Sequence, residues 1–140
     1  MKIKNVFYCP HCFGNVSLSN KIVLKIKSAK SELGLIMLSA KINDYTSEIS
    51  ESVKMVEGAH YDFFCPLCSA SLNLESVQKS LIKLFMKDKD NKKHEVLFSG
   101  VFGENCTYVL KDYNLEYFGS HSKKYIDQIE KYKEFYENHL

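Results

Sequence analysis

Residues 21–27 alternate between apolar and lysine positions. Ile22, Leu24 and Ile26 share one side, and Lys25 and Lys27 share the other. This period of two predicts a half-buried strand. Residues 33–38 form a continuous apolar run, and the flanking strand signals and Gly34 favour a strand over a buried helix. Polar turns separate these runs at 28–32 and 43–44, residues 47–52 are polar, and residues 53–56 read as another strand. Residues 74–80 suggest a short helical turn. Residues 81–86 and 94–98 then read as a hairpin around the charged loop 87–93. Strands follow at 107–110 and 115–118, with Gly100, Gly103 and Gly119 as punctuation. The period changes at the end of the chain. Tyr125, Ile129, Tyr132 and Tyr136 recur at helical spacing, with Ile126 beside them. An amphipathic helix over 121–138, capped by Ser120 or Ser122, is predicted. The helix packs on its own sheet or serves as an oligomer contact. The fold class is mainly β, with an α+β element in this helix.

Two short stretches interrupt this pattern and organise it. Cys9-Pro10-His11-Cys12 and Cys65-Pro66-Leu67-Cys68 each have the form C-P-x-C. Each follows an aromatic run, 6–8 and 61–64, and each leads into an alternating run, 15–18 and 70–74. The chain has two prolines, and both sit inside these motifs. Proline at the first intervening position fixes φ for a tight turn that aims both thiols at one point. Two such turns supply four soft ligands, which suits tetrahedral Zn²⁺. Cys9, Cys12, Cys65 and Cys68 are therefore the expected metal ligands. A shell of four cysteines leaves no position for water or substrate, so the site reads as structural. Paired knuckles usually stand roughly 15–20 residues apart; here 52 residues, 13–64, lie between Cys12 and Cys65.

These motifs resemble the knuckles of zinc-ribbon and rubredoxin-like proteins. The wider layout, with a Glu57-Gly58 turn before the second motif, is similar to small uncharacterised bacterial zinc-ribbon proteins. By size the 140 residues read as one domain, 1–140. Its knuckles lie at 6–18 and 61–74, with a β insertion at 21–60, a hairpin region at 81–118 and a C-terminal helix at 121–138. The four-cysteine shell implies one Zn²⁺ per chain, and the rubredoxin-like resemblance admits iron in the same shell. The resemblance brings no activity with it. Such knuckles often carry glycine directly after the second cysteine, whereas Phe13 and Ser69 stand there in this chain. A thioredoxin-type dithiol also has the form C-P-H-C, but residues 13–17 do not open a helix and no proline remains for a cis-proline loop.

Composition narrows the function classes. The 140 residues are 45% hydrophobic, enough for a core, and the net charge is +2. All 19 basic residues are lysine. The absence of arginine argues against sequence-specific nucleic-acid reading, which relies on guanidinium forks. Lysine-driven binding remains a rival. No secretory leader and no run of about 18 apolar residues is visible, so a cytoplasmic protein without a membrane partner is expected.

The remaining chemistry-bearing residues have simpler readings. His11 is expected exposed and outside the metal shell. Cys106 reads as a buried structural thiol, because a nucleophile would need His60, His94 or His121 beside it in the fold. His60 and Asp62 alternate on one strand face, as a proton-transfer pair or as a surface hydrogen bond. Asp88, Asp90 and Asn91 read as a solvated hairpin loop and lack the glycine and distal glutamate of a calcium loop. Lys79, Lys83 and Lys87 line one face if their segment is helical, and Lys83 and Lys87 still share a face if it is a strand; a solvated face is the expected reading in both cases. No catalytic set emerges, and no repeat is legible beyond the two knuckles. The expected function is a non-catalytic, zinc-stabilised binding or adaptor domain with a protein partner. The rivals are nucleic-acid binding, rubredoxin-like electron transfer with iron, and an enzyme that uses Cys106 or a histidine.

Overall fold

A computed structural model describes residues 5–75, 77–112 and 114–137 of the chain. The protein is mainly β, with two antiparallel sheets and one C-terminal helix. The chain runs through β1 (Val6–Tyr8), β2 (Ser17–Leu18), β3 (Lys21–Lys27), β4 (Leu33–Ser39) and β5 (Ser47–Ile49). It continues through β6 (Asp62–Phe64), β7 (Asn73–Leu74), β8 (Gln78–Lys87), β9 (Lys93–Ser99), β10 (Thr107–Lys111) and β11 (Asn114–Phe118). A 3-10 turn, Ser122–Tyr125, leads into helix α1, Ile126–Glu137.

The repeat extends well beyond the cysteines. The series β1, knuckle, β2, β3, β4 is matched by β6, knuckle, β7, β8, β9. Ser17 Oγ accepts the Phe7 N–H at 2.7 Å, and its counterpart Asn73 Oδ1 accepts the Phe63 N–H at 3.0 Å. The two hairpin turns also correspond. Ser28 Oγ accepts from the Lys30 and Glu32 amides, as Asp88 Oδ1 does from the Asp90 and Lys92 amides. Ser31 and Asn91 hold the same left-handed position in them, at φ +63° and +61°. The sequence hides this repeat because packing asks only for an apolar residue at each inward position. Ile22, Leu24 and Ile26 in β3 are answered by Ile82, Leu84 and Met86 in β8, all buried.

The halves are interlocked. β1 pairs with β8 of the other half, Phe7 opposite Met86, and β6 pairs with β3, Phe63 opposite Ile26. β2 and β7 stay with their own hairpins, beside β3 and β8. Each knuckle is therefore a crossover between sheets: the first carries the chain from β1 to β2, and the second from β6 to β7. Phe7, Leu24, Ile26, Phe63, Ile82 and Leu84 form the core between the sheets.

A second apolar cluster lies on the outer side of the larger sheet. Leu81, Leu97, Tyr108 and Leu110 meet Tyr125, Ile129 and Tyr132 of the terminal helical segment. Three of the four residues in the predicted helical stripe are thus used within the chain; the Tyr136 side chain and residue 138 lie outside the described structure.

Three expectations are corrected. Residues 53–56 form no strand. Val53 instead turns into the core and its amide donates to the Ser50 carbonyl at 3.3 Å. The segment read as a helical turn holds β7, a turn and the start of β8, because the Asn73 side chain bonds backbone on both sides: Oδ1 from Phe63 and Nδ2 to Lys79. Neither serine caps the helical segment where it begins: His121 holds the N-cap of the 3-10 turn without a side-chain bond, and Ser122 is a buried residue inside that turn. Residues 21–60 hold the counterpart of the β8–β9 hairpin, β3 and β4, and the added strand β5.

Candidate metal centre

Each knuckle is closed by the same backbone bonds. The Phe13 N–H donates to the Cys9 carbonyl at 2.9 Å, and the Ser69 N–H donates to the Cys65 carbonyl at 2.9 Å. The Cys9 and Cys65 amides donate to the Gly14 and Ala70 carbonyls, each at 3.0 Å. The residue after the second cysteine is left-handed in both turns, φ +59° at Phe13 and +64° at Ser69. The conformation that usually selects glycine is retained here by residues with side chains, at some backbone cost. Gly14 serves a different need: a Cβ there would lie 2.5 Å from Leu67 Cδ1 of the opposite knuckle.

The interlocked sheets bring the two turns face to face. The Sγ atoms of Cys9, Cys12, Cys65 and Cys68 all lie within 4.8 Å of one another. Cys9 Sγ is 3.8 Å from Cys68 Sγ, and Cys12 Sγ is 3.8 Å from Cys65 Sγ. The equality follows from the repeat, which exchanges one pair for the other. The edge of a tetrahedron with arms of about 2.3 Å is about 3.8 Å, so the spacing fits four thiolates around one zinc-sized ion. Cys9 and Cys65 are fully buried, while Cys12 and Cys68 face outward.

The donor set also suits a cation. Backbone amides of His11 and Cys12 lie 3.3 and 3.5 Å from Cys9 Sγ, and those of Leu67 and Cys68 lie 3.3 and 3.5 Å from Cys65 Sγ. The Gly14 amide lies 3.4 Å from Cys12 Sγ. These dipoles spread thiolate charge. Without a cation, burial pushes the Cys9 thiol up to about 12, against the pull of the Cys12 and His11 amides. For Cys65 burial acts in the same upward direction but is outweighed by the Cys68 and Leu67 amides and the neighbouring thiols, and its pKa falls below the ordinary value. A divalent ion would remove the conflict by taking the place of the protons.

Other candidate residues lie elsewhere or are already engaged. His11 is exposed, and its Nε2 donates to the Ser71 carbonyl at 3.0 Å, tying the first knuckle to the second without joining the thiol cluster. His60 Nε2 and Asp62 Oδ1 are 3.2 Å apart. Cys106 is buried, and burial raises its pKa to about 11. Among the described residues no histidine hydrogen-bonds to it: His94 bonds to Asp88 at 2.8 Å, and His121 accepts from the Asn105 amide. Asp88 is spent on its own hairpin turn and on His94.

Sequence reasoning missed two arrangements. Glu95 is drawn inward beneath α1, and Glu104 beneath the 3-10 turn that precedes it. Glu95 meets Lys83 at 2.8 Å and the Tyr132 hydroxyl at 2.5 Å, while Glu104 accepts from Ser99, Lys124 and Tyr125. Beside the first knuckle, Phe13 stacks on Phe85 with centroids 5.9 Å apart. Lys93 lies 3.8 Å from the Phe85 centroid, and Lys87 lies 5.4 Å from that of Tyr8. The shared strand face of Lys83 and Lys87, with Phe85 between them, was the signal available for this strip.

Comparison with known protein families, with characterised proteins and with solved structures yields no match for this chain.

Proposed function

We propose that this chain is a non-catalytic binding domain of the cytoplasm, of zinc-ribbon type, in which one Zn²⁺ per chain stabilises the fold. The observation that carries the reading is the spacing of the four thiols, which fits a closed tetrahedral shell. The ion would be held by Cys9, Cys12, Cys65 and Cys68 and would clamp the two crossovers where the sheets exchange strands. A closed shell supplies cross-linking and no open coordination position. Native mass spectrometry with elemental analysis of one aerobically purified sample tests the proposal. One zinc per chain is the expected result. No bound metal, or cysteines recovered as disulfides, would overturn it, and one iron with visible charge-transfer absorption would bring electron transfer forward.

Support for a protein partner comes from the outer face of the smaller sheet. Leu33 and Leu35 are 66% and 47% exposed there, while the equivalent face of the larger sheet is covered by α1.

A second reading, binding of single-stranded nucleic acid, is favoured by the aromatic and lysine strip. Phe13 is 62% exposed and has Lys93 5.6 Å from its centroid, an arrangement that suits a base stacking beside a backbone phosphate. Fluorescence anisotropy of a labelled oligouridylate tests it. Binding that weakens with salt, and weakens in Phe13→Ala, is expected; a flat titration at low salt removes the reading.

A further inference from the structure

The space between the sheets is not filled completely. A cleft of about 350 Å³ opens there, and none of Cys9, Cys12, Cys65 or Cys68 lines it. Its walls include Ile36 and Leu38 of β4, Phe63 of β6 and Phe98 of β9, with Met55 and Phe102 from the connecting loops. Leu38, Met55, Phe98 and Phe102 pack against the core yet remain partly accessible, as walls of a cleft do. An engineered apolar cavity of about 150 Å³ already holds benzene. The volume here lies in the range of small-molecule sites, roughly 300–1,000 Å³, and such sites are mostly apolar with a few polar groups that orient the ligand.

The mouth has that polar character. It is bordered by loop 40–46 and loop 100–106, and Tyr45 ties the first loop to the start of β10 through a 2.9 Å contact from its hydroxyl to Thr107 Oγ1. Three charged residues border it: Lys41, Asp44 and Glu104. Asp44 Oδ1 already accepts from the Thr46 amide and hydroxyl, and Glu104 from Ser99, Tyr125 and Lys124. One lysine against two carboxylates gives no excess of positive charge to hold an anion. Neutral groups there include the amides of Asn43 and Asn105 and the Tyr45–Thr107 hydroxyl pair.

We infer that this cleft binds an uncharged small molecule with an apolar body of about a dozen non-hydrogen atoms and one hydrogen-bonding head group. The apolar body lies between β4 and β9, and the head meets the amide and hydroxyl groups at the mouth. The site is separate from the metal shell, so its test stands apart from that of the metal.

The probe is 2-naphthol, which has a bicyclic apolar body and a single hydroxyl. It is titrated into the full-length, metal-analysed protein and followed by calorimetry and by NMR. Saturable binding of one molecule per chain is expected, with shift changes at Leu38, Met55 and Phe98. Leu38→Trp and Met55→Trp place bulk in the cleft at partly accessible positions. Each is expected to weaken binding at least tenfold while metal content and circular dichroism stay as in the parent. Absence of saturable binding to the parent protein overturns the inference, as does undiminished binding in the folded variants. If neither variant folds, intermolecular NOEs in the parent protein decide: contacts to Leu38, Met55 and Phe98 support the site, and contacts elsewhere overturn it.

Discussion

Replacing Cys65 with serine probes the proposed clamp directly. Cys65 is fully buried, and its sulfur receives the Leu67 and Cys68 amides at 3.3 and 3.5 Å. Serine puts a shorter, harder oxygen in its place, a poor fourth ligand for zinc beside three thiolates. The cross-link from Cys12 to Cys65 closes a loop with 52 residues between its ends. Treated like a disulfide of that length, the closure removes about 4 kcal/mol of unfolded-state entropy. Structural zinc in small peptides contributes about 10–16 kcal/mol of binding free energy, against about 5–15 kcal/mol for the total stability of a typical domain. A loss of at least about 4 kcal/mol is therefore expected, and the substitution largely unfolds the protein. With a urea slope of about 2 kcal/mol/M, that minimum shifts the midpoint by about 2 M. The assay is urea unfolding followed by circular dichroism at fixed free zinc, with metal measured on the same samples. Cys9→Ser should behave like Cys65→Ser, because the repeat makes the two positions equivalent. Cys106→Ala should keep its metal. A Cys65→Ser protein with the parent midpoint and a full complement of zinc would refute the shared site.

Ser69→Gly should raise stability by about 1 kcal/mol, roughly 3 °C in thermal midpoint, by relieving the left-handed backbone. Phe13→Gly should gain little, because it also gives up the Phe13–Phe85 stack, about 0.5–1.5 kcal/mol; a clear gain in a thermal scan would argue against that contact. Asp88 is held at about 2, below its ordinary 3.8, chiefly by the His94 hydrogen bond and then by the Lys92 amide. A depressed carboxyl stabilises the fold above about pH 4, and that contribution is lost as pH falls towards about 2. The stability difference between the parent and Asp88→Asn should therefore shrink between about pH 4 and about pH 2, and a constant difference would contradict the assignment. Cys106, buried and raised to about 11, should react with maleimide only after unfolding. Peptide mass mapping of briefly labelled native protein checks this, and prompt modification would show the thiol to be accessible.

The β-strands were legible where side-chain alternation was regular. Ile22, Leu24 and Ile26 marked β3 because a strand with one buried face must alternate. The apolar run ending at Leu38 marked β4, and the glycines after β9 and β11 marked their ends. Local pattern failed where a side chain took over backbone bonding. Asn73 turned an expected helical segment into β7 and the start of β8, and a polar residue making long-range backbone bonds leaves no periodic trace. The four cysteines announced themselves because proline and the two-residue spacing act within a single turn.

The sequence by itself determined the turns, the alternating faces and the identity of the four thiols, since each depends on neighbours within a few residues. Tertiary structure alone decided that β1 joins β8 and β6 joins β3, and so that two knuckles 52 residues apart meet. It also decided that Glu95 lies under α1 and Glu104 under the 3-10 turn before it, and that the sheets leave a cleft between them. Pairing across sheets is driven by total apolar burial, which many residue combinations satisfy equally. The repeat consequently survives in backbone geometry and inward volume, where Ile26 can answer Met86 and Ser17 can answer Asn73 without resembling them in sequence.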